Sequence, residues 1–143
     1  MKNIAIGSDH AGFDLKQVLV KHLENNGWTV QDCGPASSDR VDYPDYAHKV
    51  AELVTQGNVI CGVLICGSGN GVCMTANKHQ GVRAGLAWDT ELASLAKEHN
   101  NANVICLPAR YISEDKGIEI LDAYINANFE GGRHEQRVEK IEG

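Results

Sequence analysis

Strand and helix patterns alternate along this 143-residue chain and predict an α/β protein with one doubly wound sheet of five parallel strands. Two observations support this fold class. Five short apolar runs recur along the chain, and segments with apolar residues at helical spacing separate them. The central run, residues 62–66, is apolar or small throughout, as expected of a parallel strand that is buried on both faces.

The first half of the chain contains three of the predicted strands, at residues 3–7, 28–33 and 62–66. Leucines at helical spacing between the first two strands predict a helix, which Asn26-Gly27 ends. Pro44 suits the first turn of a second helix, because the amide hydrogen that proline lacks has no partner at that position.

The second half of the chain contains the other two strands, at residues 82–87 and 103–107. Short polar residues precede two of its helical segments, where their side chains can accept a hydrogen bond from a free amide of the first turn. The helices are predicted at 72–78, from Asp89 or Thr90 to His99, and from Ser113 onward.

Length and composition limit the organisation, the ligands and the compartment. We expect one domain over residues 1–143, with a helical tail at about 131–143. A net charge of −6 argues against nucleic acid or an anionic membrane as a partner. The chain has no run near the roughly 20 apolar residues of a membrane span, and residues 1–21 lack a signal-peptide core. Five cysteines, an odd number in mostly apolar settings, are typical of a reducing cytoplasm.

A glycine-rich loop, Gly67-Ser68-Gly69-Asn70-Gly71, follows the central strand. Cys66 ends that strand and stands directly before the loop. Glycines let backbone amides approach a ligand closely, and amides at the start of a helix favour an anion. The sequence therefore predicts a thiol at the mouth of an anion site.

Four familiar motifs do not match the sequence of this loop and the cysteines around it. A Walker loop needs lysine where Ser68 stands, and a dinucleotide fingerprint needs a small residue at Val72 and a place on the first strand. A cysteine phosphatase needs arginine at the position of Val72 to clamp phosphate. The cysteines lack zinc spacing, and no three or four metal-ligating residues recur at metal spacing, so we expect a reaction that needs no metal.

Polar residues flank several strands and are candidates for one binding edge. Ligands of open α/β sheets bind at the carboxyl ends of the strands, where we expect Ser8-Asp9-His10, Cys66 and His99-Asn100. If the first and third strands are neighbours, Asp9, His10 and Cys66 converge. Each residue also has an ordinary structural explanation: Asp9 can cap a helix, His10 can be a surface residue, and His99 can end a helix.

Two arginines near the end of the chain form a candidate basic cluster. Arg133 and Arg137 are four residues apart, so they would share one face of a short helix, and arginine matches phosphate oxygens well. The alternative is a solvated helix in which these arginines pair with Glu135 or Glu139.

Six motifs in this order resemble ribose-5-phosphate isomerase type B and its galactose-6-phosphate and allose-6-phosphate isomerase relatives. The resemblance covers almost the whole chain. It implies a Rossmann-like three-layer sandwich that forms a homodimer, sometimes paired into tetramers. It also implies interconversion of aldose and ketose phosphates without a metal or other cofactor. The motifs are Ser8-Asp9-His10-Ala11-Gly12, Asp42-Tyr43-Pro44, Cys66-Gly67-Ser68-Gly69-Asn70-Gly71, Ala76-Asn77-Lys78, His99-Asn100 and Gly131-Gly132-Arg133-His134.

The resemblance also implies a role for each matching residue. Cys66 looks like the base that moves a proton between C1 and C2, whereas some relatives place a glutamate where this chain has Val72. Ser68 and His99 look like the pair that opens the sugar ring, and Gly67 to Gly71 look like the anion hole for the enediolate oxygen. Asp9 and Tyr43 would contact sugar hydroxyls. His10, Arg110, Arg133 and Arg137 would hold the phosphate, with Asn100 and His134 close by.

The function expected on this basis is interconversion of ribose 5-phosphate and ribulose 5-phosphate, by ring opening and proton transfer through an enediolate. The alternatives within the family are allose 6-phosphate or galactose 6-phosphate as substrate. Two other classes stay open: a cysteine-based phosphotransfer enzyme or phosphatase, and a non-catalytic module that binds a sugar phosphate or nucleotide.

The positions of the candidate residues predict that two subunits share each site. Cys66 ends the third strand, His99 precedes the fifth, and Arg133 and Arg137 follow the last long helix. Strands are about 4.8 Å apart, so a small sugar phosphate would struggle to span these groups within one chain. A two-fold axis can bring the His99 side of one chain over the Cys66 loop of another.

Overall fold

The computed structural model describes residues 2–143, which form one parallel sheet with helices on both faces. This arrangement confirms the predicted α/β class and its five parallel strands. The strands are β1 (Asn3–Ser8), β2 (Thr29–Asp32), β3 (Cys61–Cys66), β4 (Ala84–Leu86) and β5 (Val104–Pro108).

The strand order across the sheet is β2-β1-β3-β5-β4, and every neighbouring pair is parallel. β1 and β3 are therefore neighbours, with Ser8 opposite Ile65. On the other side of β3, Cys66 lies opposite Pro108 of β5. β2 lies on one side of β1, and β3 lies on the other side. The strand order therefore reverses between β1 and β3, and this is the switch point of the sheet.

The helices connect the strands and continue beyond the last one. Asp89 Oδ1 accepts a hydrogen bond from Leu92 N at 3.0 Å, and Ser113 Oγ accepts one from Lys116 N at 3.1 Å, which confirms both predicted caps. No helix within residues 2–143 is both long and apolar enough to cross a bilayer. The helices are α1 (Phe13–Asn25), α2 (Tyr43–Thr55), α3 (Asn70–Ala76), α4 (Thr90–Glu98), α5 (Glu114–Asn126) and α6 (Glu135–Glu142), with a 3₁₀ turn at Gly132–His134 before α6.

Two predicted starts are wrong by two residues, and the other boundaries differ by no more than that. α3 begins at Asn70 rather than Val72, so Gly71 lies inside its first turn. β4 begins at Ala84 rather than Val82, because Val82 N donates to His79 O at 3.1 Å in a turn. Next to that turn, Arg83 N donates to the side-chain Oδ1 of Asn103 at 2.8 Å. In a strand, this amide would instead donate to a backbone oxygen of the neighbouring strand.

The core consists of two apolar clusters, one on each face of the sheet. Ile4 and Ile6 of β1 pack with α1, α4 and α5, whereas Ala5 packs with α2 and α3 on the opposite face. Side chains alternate between the two faces along a strand, so a strand buried on both sides is apolar at every position. Each fully buried isoleucine or leucine contributes roughly 1.5–3 kcal/mol, which holds the three layers together.

His99 and Asn100 lie at the amino edge of the sheet, and the expectation that they join Cys66 at the carboxyl edge is wrong. α4 runs back across the sheet and ends at Glu98, just before β5 begins at Val104. β5 rises by about 3.3 Å per residue, so its length separates these residues from the end that faces Cys66. A residue that precedes a parallel strand lies at the edge opposite to one that follows it.

Candidate active site

Cys66 lies at the floor of a cleft at the carboxyl edge of the sheet. Its side chain is only 5% exposed, and its backbone oxygen accepts from Ala109 N at 2.9 Å. The cleft has a volume of about 330 Å³. It is lined by Asp9, Tyr43, Cys66, Gly67, Ser68, Gly71, Arg110 and Tyr111.

Asp9 borders this cleft and also holds the turn after β1. Its backbone N donates to Ile65 O at 3.1 Å, and its Oδ1 accepts from Gly12 N at 3.0 Å. A side chain at Gly12 would lie 2.8 Å from Ile65 Cγ2 and from Ile65 O, so only glycine permits this close approach of the turn to β3. Asp9 therefore closes the turn before α1 rather than capping the helix, whose N-cap is Gly12, and Oδ2 of the carboxylate is left for a ligand.

His10 is half-buried and tied to the loop before α2. Its Nδ1 accepts from Val41 N at 3.3 Å. Because Nδ1 acts as the acceptor in this bond, the neutral ring carries its hydrogen on Nε2. His10 therefore presents an N–H donor beside Asp9 and is not an ordinary surface residue.

The glycine-rich loop lies against packed neighbours at Gly69 and Gly71, while Ser68 and Asn70 are exposed. Gly69 has φ +78°, and a Cβ there would collide with the Leu86 side chain and lie 3.2 Å from the backbone of Leu107. A Cβ at Gly71 would collide with the ring of Tyr43. Ser68 Oγ accepts from Asn70 N at 3.2 Å, which leaves its hydroxyl hydrogen free to donate. Glycines are required here because the backbone itself lies against its neighbours.

Arg110 brings a positive charge to the same cleft. Its backbone N donates to Gly67 O at 3.1 Å, and its guanidinium Nη1 would lie 3.2 Å from a Cβ built at Gly67. Within residues 2–143 no carboxylate forms an ion pair with Arg110. In a chain with a net charge of −6, an unpaired arginine beside a cleft favours an anionic ligand.

The thiols near the cleft differ in environment. Burial raises the pKa of Cys106, on the neighbouring strand, well above its usual value, so this group stays a neutral thiol. Burial also raises the pKa of Cys61, at the amino end of β3, to about 12. A hydrogen bond with Cys106 lowers the pKa of Cys73 on α3. Cys66 is the cysteine that lines the cleft.

A second group of polar residues, His99, Glu130 and His134, lies at the amino edge. The rings of His99 and His134 stack with centroids 4.1 Å apart and an interplanar angle of 14°. Glu130 Oε1 lies 3.8 Å from His99 Nε2 and 3.4 Å from His134 Nε2. The backbone N of Glu130 donates to Glu98 O at 3.0 Å, and this bond fixes the C-terminal tail against the end of α4.

The two arginines of the tail lie in two helical segments of different type, whereas the prediction placed them in one short helix. Arg133 belongs to the 3₁₀ turn, whereas Arg137 lies in α6 and donates from Nη1 to Arg133 O at 3.2 Å. The tighter turn breaks the helical spacing on which the prediction depended. Both side chains are exposed, and in the described chain neither pairs with Glu135 or Glu139.

The structure therefore divides the predicted site residues into two groups at opposite edges of the sheet. The carboxyl-edge group contains Asp9, His10, Tyr43, Cys66, Arg110 and the loop from Gly67 to Gly71. The amino-edge group contains His99, Asn100, Arg133, His134 and Arg137. The ion pair between Arg83 and Glu142, at 3.3 Å, connects α6 to the start of β4 at this same edge.

Two residues beside these groups escaped the sequence reasoning. Tyr111 is 77% exposed and lines the cleft after β5, and the rule about carboxyl ends of strands would have found it if applied to β5. Glu130 lies between His99 and His134, and no sequence motif marks it. The donor atoms of these three side chains lie within 4.8 Å of one another and could hold a metal ion. The expectation from the sequence concerned spacing along the chain and does not cover this set, because its three members meet only in the folded chain.

Comparison with known proteins gives consistent matches along the chain. The sequence profile of the ribose/galactose isomerase family matches residues 4–141. Ribose-5-phosphate isomerase B of Escherichia coli is 46% identical over 141 residues, which cover 99% of this chain and 95% of that protein. D-erythrulose-4-phosphate isomerase of Pectobacterium atrosepticum is 42% identical over 143 residues, covering 99% and 93% of the two chains. A solved structure of ribose-5-phosphate isomerase B from Mycoplasma genitalium with bound ribulose 5-phosphate has a TM-score of 0.94 and 46% identity, covering 98% and 93%.

Proposed function

The chain belongs to the ribose/galactose isomerase family, and we propose that it is an isomerase that interconverts ribose 5-phosphate and ribulose 5-phosphate. The observation that carries this proposal is the cleft in which Cys66, the glycine-rich loop and the unpaired Arg110 meet. The relative from Mycoplasma genitalium binds the ketose of this pair and matches 98% of this chain. We treat residues 1–143 as one sugar-phosphate isomerase domain.

Proton transfer is assigned to Cys66. The thiolate removes the proton next to the carbonyl carbon of the open-chain sugar, and the resulting thiol returns a proton to the adjacent carbon. The enediolate between these steps carries negative charge on oxygen, and donors beside that oxygen lower the barrier. The first amides of α3 have no acceptor within the helix, so the loop from Gly67 to Gly71 is suited to supply these donors.

Ring opening precedes proton transfer and is assigned to Ser68 and His99. The Ser68 hydroxyl has a free hydrogen to donate, and the imidazole ring of His99 has one nitrogen that can accept a proton and one that can donate. Asp9 and Tyr43 are assigned to the sugar hydroxyls. The phosphate is assigned to His10, Arg110, Arg133 and Arg137, with Asn100 and His134 beside it.

We propose that the working unit is a homodimer in which two chains complete each site, and that dimers can pair into tetramers. Support comes from the separation of Cys66 and His99 by the length of β5. A sugar phosphate is too short to reach from one edge of the sheet to the other. A two-fold axis solves this problem, because it can set the amino-edge group of one chain over the cleft of its partner.

We also propose that catalysis needs no bound metal and that the protein works in the cytoplasm. The loop amides can stabilise the negative charge of the enediolate, and the arginines can bind the negatively charged phosphate. All five cysteines are free thiols, which is typical of a reducing compartment.

The experiment that tests the function is an isomerisation assay on the purified chain with several sugar phosphates side by side. We expect the highest kcat/KM with ribose 5-phosphate, and a rate near background for Cys66→Ala. A higher kcat/KM with allose 6-phosphate, galactose 6-phosphate or the four-carbon erythrulose 4-phosphate would reassign the substrate. Binding of all these compounds without exchange of a carbon-bound proton would instead indicate a non-catalytic module.

A further inference from the structure

We propose that His99, Glu130 and His134 form a binding site for a divalent transition-metal ion such as Zn²⁺, and that an ion bound there inhibits the enzyme. One ligand comes from the end of α4 and two come from the tail after α5. The inhibitory part rests on the proposed function, because it requires His99 to act on the substrate. The binding part does not depend on that function.

The distances among the donor atoms are close to those of a zinc site. Zn²⁺ binds nitrogen and oxygen ligands at about 2.0–2.2 Å in tetrahedral geometry, which sets neighbouring donor atoms roughly 3.4 Å apart. Glu130 Oε1 lies 3.4 Å from His134 Nε2 and 3.8 Å from His99 Nε2. The widest separation in the set is no more than 4.8 Å. The lone pair of each ring nitrogen lies in its ring plane, so one of the two stacked rings must turn out of the stack for all three donors to meet on one ion.

The donor types select the class of metal. Two imidazole nitrogens and one carboxylate oxygen form the set that Zn²⁺ and similar borderline ions prefer, whereas Mg²⁺ and Ca²⁺ prefer oxygen ligands throughout. Three protein ligands leave the fourth position of a tetrahedral ion open for water.

His134 is poised as a ligand in the folded chain. Its side chain is buried, and its Nε2 is the one buried side-chain polar atom in the described residues that lacks a hydrogen-bond partner. The 3.4 Å contact with Glu130 Oε1 lacks hydrogen-bond geometry, so the nitrogen stays unsatisfied. An unsatisfied buried nitrogen is unfavourable, and a metal ion beside the carboxylate would satisfy it.

The backbone positions the three ligands before any ion arrives. Glu130 N donates to Glu98 O at 3.0 Å, next to His99, and His134 N donates to Gly131 O at 3.0 Å. These bonds fix the two ends of the tail segment that carries Glu130 and His134. Glu130 is exposed in the single chain, and in the proposed dimer an ion would enter through the opening that admits the sugar phosphate.

A second histidine pair in the chain provides a matched comparison. His48 Nδ1 and His79 Nε2 are 2.6 Å apart and share a hydrogen bond. Within the described residues this pair belongs to no group of three potential ligands. We therefore expect His48 and His79 to bind metal weakly, because two ligands hold an ion far less well than three.

A bound ion would inhibit the enzyme because it would coordinate the nitrogen of His99 that is proposed to act as a base. An ion on Nε2 of His99 occupies the lone pair that a ring-opening base needs. Zinc bound at this set would therefore block a proton transfer and would supply no useful chemistry.

The binding test uses the full chain without a histidine tag, freed of metal by a chelator. We expect the chelated protein to keep its isomerase activity and to bind one Zn²⁺ per chain in competition with a chromophoric chelator. Co²⁺ serves as the spectroscopic probe: the intense visible bands of a four-coordinate ion are expected, without the near-ultraviolet band of a cobalt–thiolate bond. A thiolate band would assign the ion to cysteine and overturn the proposal, as would the absence of binding at 100-fold excess of metal over protein.

Variants then locate the site. Glu130→Gln and Glu130→Ala, both at an exposed position, should weaken Zn²⁺ binding by at least about tenfold, and His134→Asn should do the same. His48→Asn, the control, should leave the affinity unchanged. Equal affinity in the wild type and in both Glu130 variants would overturn the site.

Activity is measured as the fraction of each protein's own metal-free rate. Zn²⁺ should inhibit the wild type and His48→Asn at the concentration at which it binds, and should inhibit the Glu130 variants only at tenfold higher concentration or more. Zinc that binds as predicted without inhibiting would overturn the inhibitory part alone. A protein that binds zinc as predicted but isomerises no sugar phosphate would contradict the proposed function and leave the metal site standing.

Discussion

At the scale of single residues, the five thiols of the chain are set apart by their surroundings. Cys61 and Cys106 are buried in the sheet, where burial raises the pKa of each thiol. Burial and the nearby Asp32 carboxylate raise the pKa of Cys33. Only Cys66 lies in the cleft beside the glycine-rich loop and Arg110. Position in the fold therefore decides which of five chemically identical side chains is suited to be a base.

Replacement of Cys66 by alanine should abolish exchange of the substrate C2 proton with solvent. A positioned base typically contributes about 10²–10⁴ in rate, so the exchange rate measured in deuterium oxide should fall by at least this factor, with affinity for the sugar phosphate nearly unchanged. Cys73→Ala, which removes a thiol outside the lining of the cleft, is the control and should change the rate less than twofold. Exchange at the wild-type rate in Cys66→Ala would rule out the assignment.

Replacement of Cys61 by alanine should flatten the dependence of stability on alkaline pH. The pKa of Cys61 rises from 9.0 to about 12 on burial, so between these values the folded chain keeps a proton that the unfolded chain releases. Stability from this group is complete below pH 9 and is lost as the pH rises towards 12, by at most about 1.4 kcal/mol per pH unit.

Urea unfolding of both proteins at pH 8 and pH 10 measures this loss. We expect the wild type to lose more of its free energy of unfolding than Cys61→Ala between the two pH values. Any cost of the cavity left by the missing sulfur is present at both pH values and cancels. An equal loss in both proteins would contradict a raised pKa at Cys61.

At the scale of elements, the loop between β3 and α3 is a backbone structure that glycine alone permits. Gly69 adopts φ +78° and lies against Leu86 and Leu107, and Gly71 lies against Tyr43. The loop thereby connects the end of β3 to β4, to β5 and to the start of α2. Its amides are held in place by packing, which is what an oxyanion site requires.

Replacement of Gly69 by alanine should reduce both stability and turnover, and Gly57→Ala provides the matched control. Gly57 also has a left-handed φ, +73°, but no atom lies within 4 Å of its missing Cβ. Both variants should lose about 1–2 kcal/mol from the strained backbone. Gly69→Ala should lose a further ~1–3 kcal/mol by overpacking against Leu86, and its kcat should fall about 10²-fold as the loop shifts.

Urea unfolding and steady-state kinetics on the two variants measure these effects. The kcat of Gly57→Ala should stay near that of the wild type. If Gly69→Ala proved no less stable than Gly57→Ala, the close approach of the loop to Leu86 would be contradicted.

At the scale of the whole molecule, the predicted site residues lie in two groups at opposite edges of the sheet, and we propose that these groups are complementary halves of one site. The cleft holds the proposed base and Arg110, and the opposite edge holds His99 and the arginines of the tail. Neither group contains all the residues that the proposed reaction uses. The proposed dimer follows from this separation.

Co-refolding of inactive Cys66→Ala with inactive His99→Ala should restore activity. With random pairing, half of the dimers are mixed, and each mixed dimer has one site with both residues intact and one with neither. Activity should therefore approach about a quarter of the wild-type value, measured with ribose 5-phosphate after refolding from an equimolar mixture. Each variant refolded alone is the control, and a mixture as inactive as the controls would mean that each site lies within one chain.

The sequence by itself determined the elements of the fold and the half of the site at the carboxyl edge. Apolar runs, helical spacing, Ser113 and the glycine pattern act within a few residues of one another, so local reasoning finds them. The rule that strand ends form the binding edge of a parallel sheet then correctly places Asp9 beside Cys66. Boundaries such as the start of α3 escaped it, because they depend on contacts with distant strands.

Only the tertiary structure decided where the other half of the site lies. The direction in which α4 crosses the sheet puts His99 at the amino edge, and the path of the tail after α5 brings Glu130 and His134 to it. His99 is separated from Glu130 and His134 by more than 30 positions along the chain, and no periodicity or motif spans such a distance. Their meeting depends on how the helices pack on the sheet, which is a property of the folded chain as a whole.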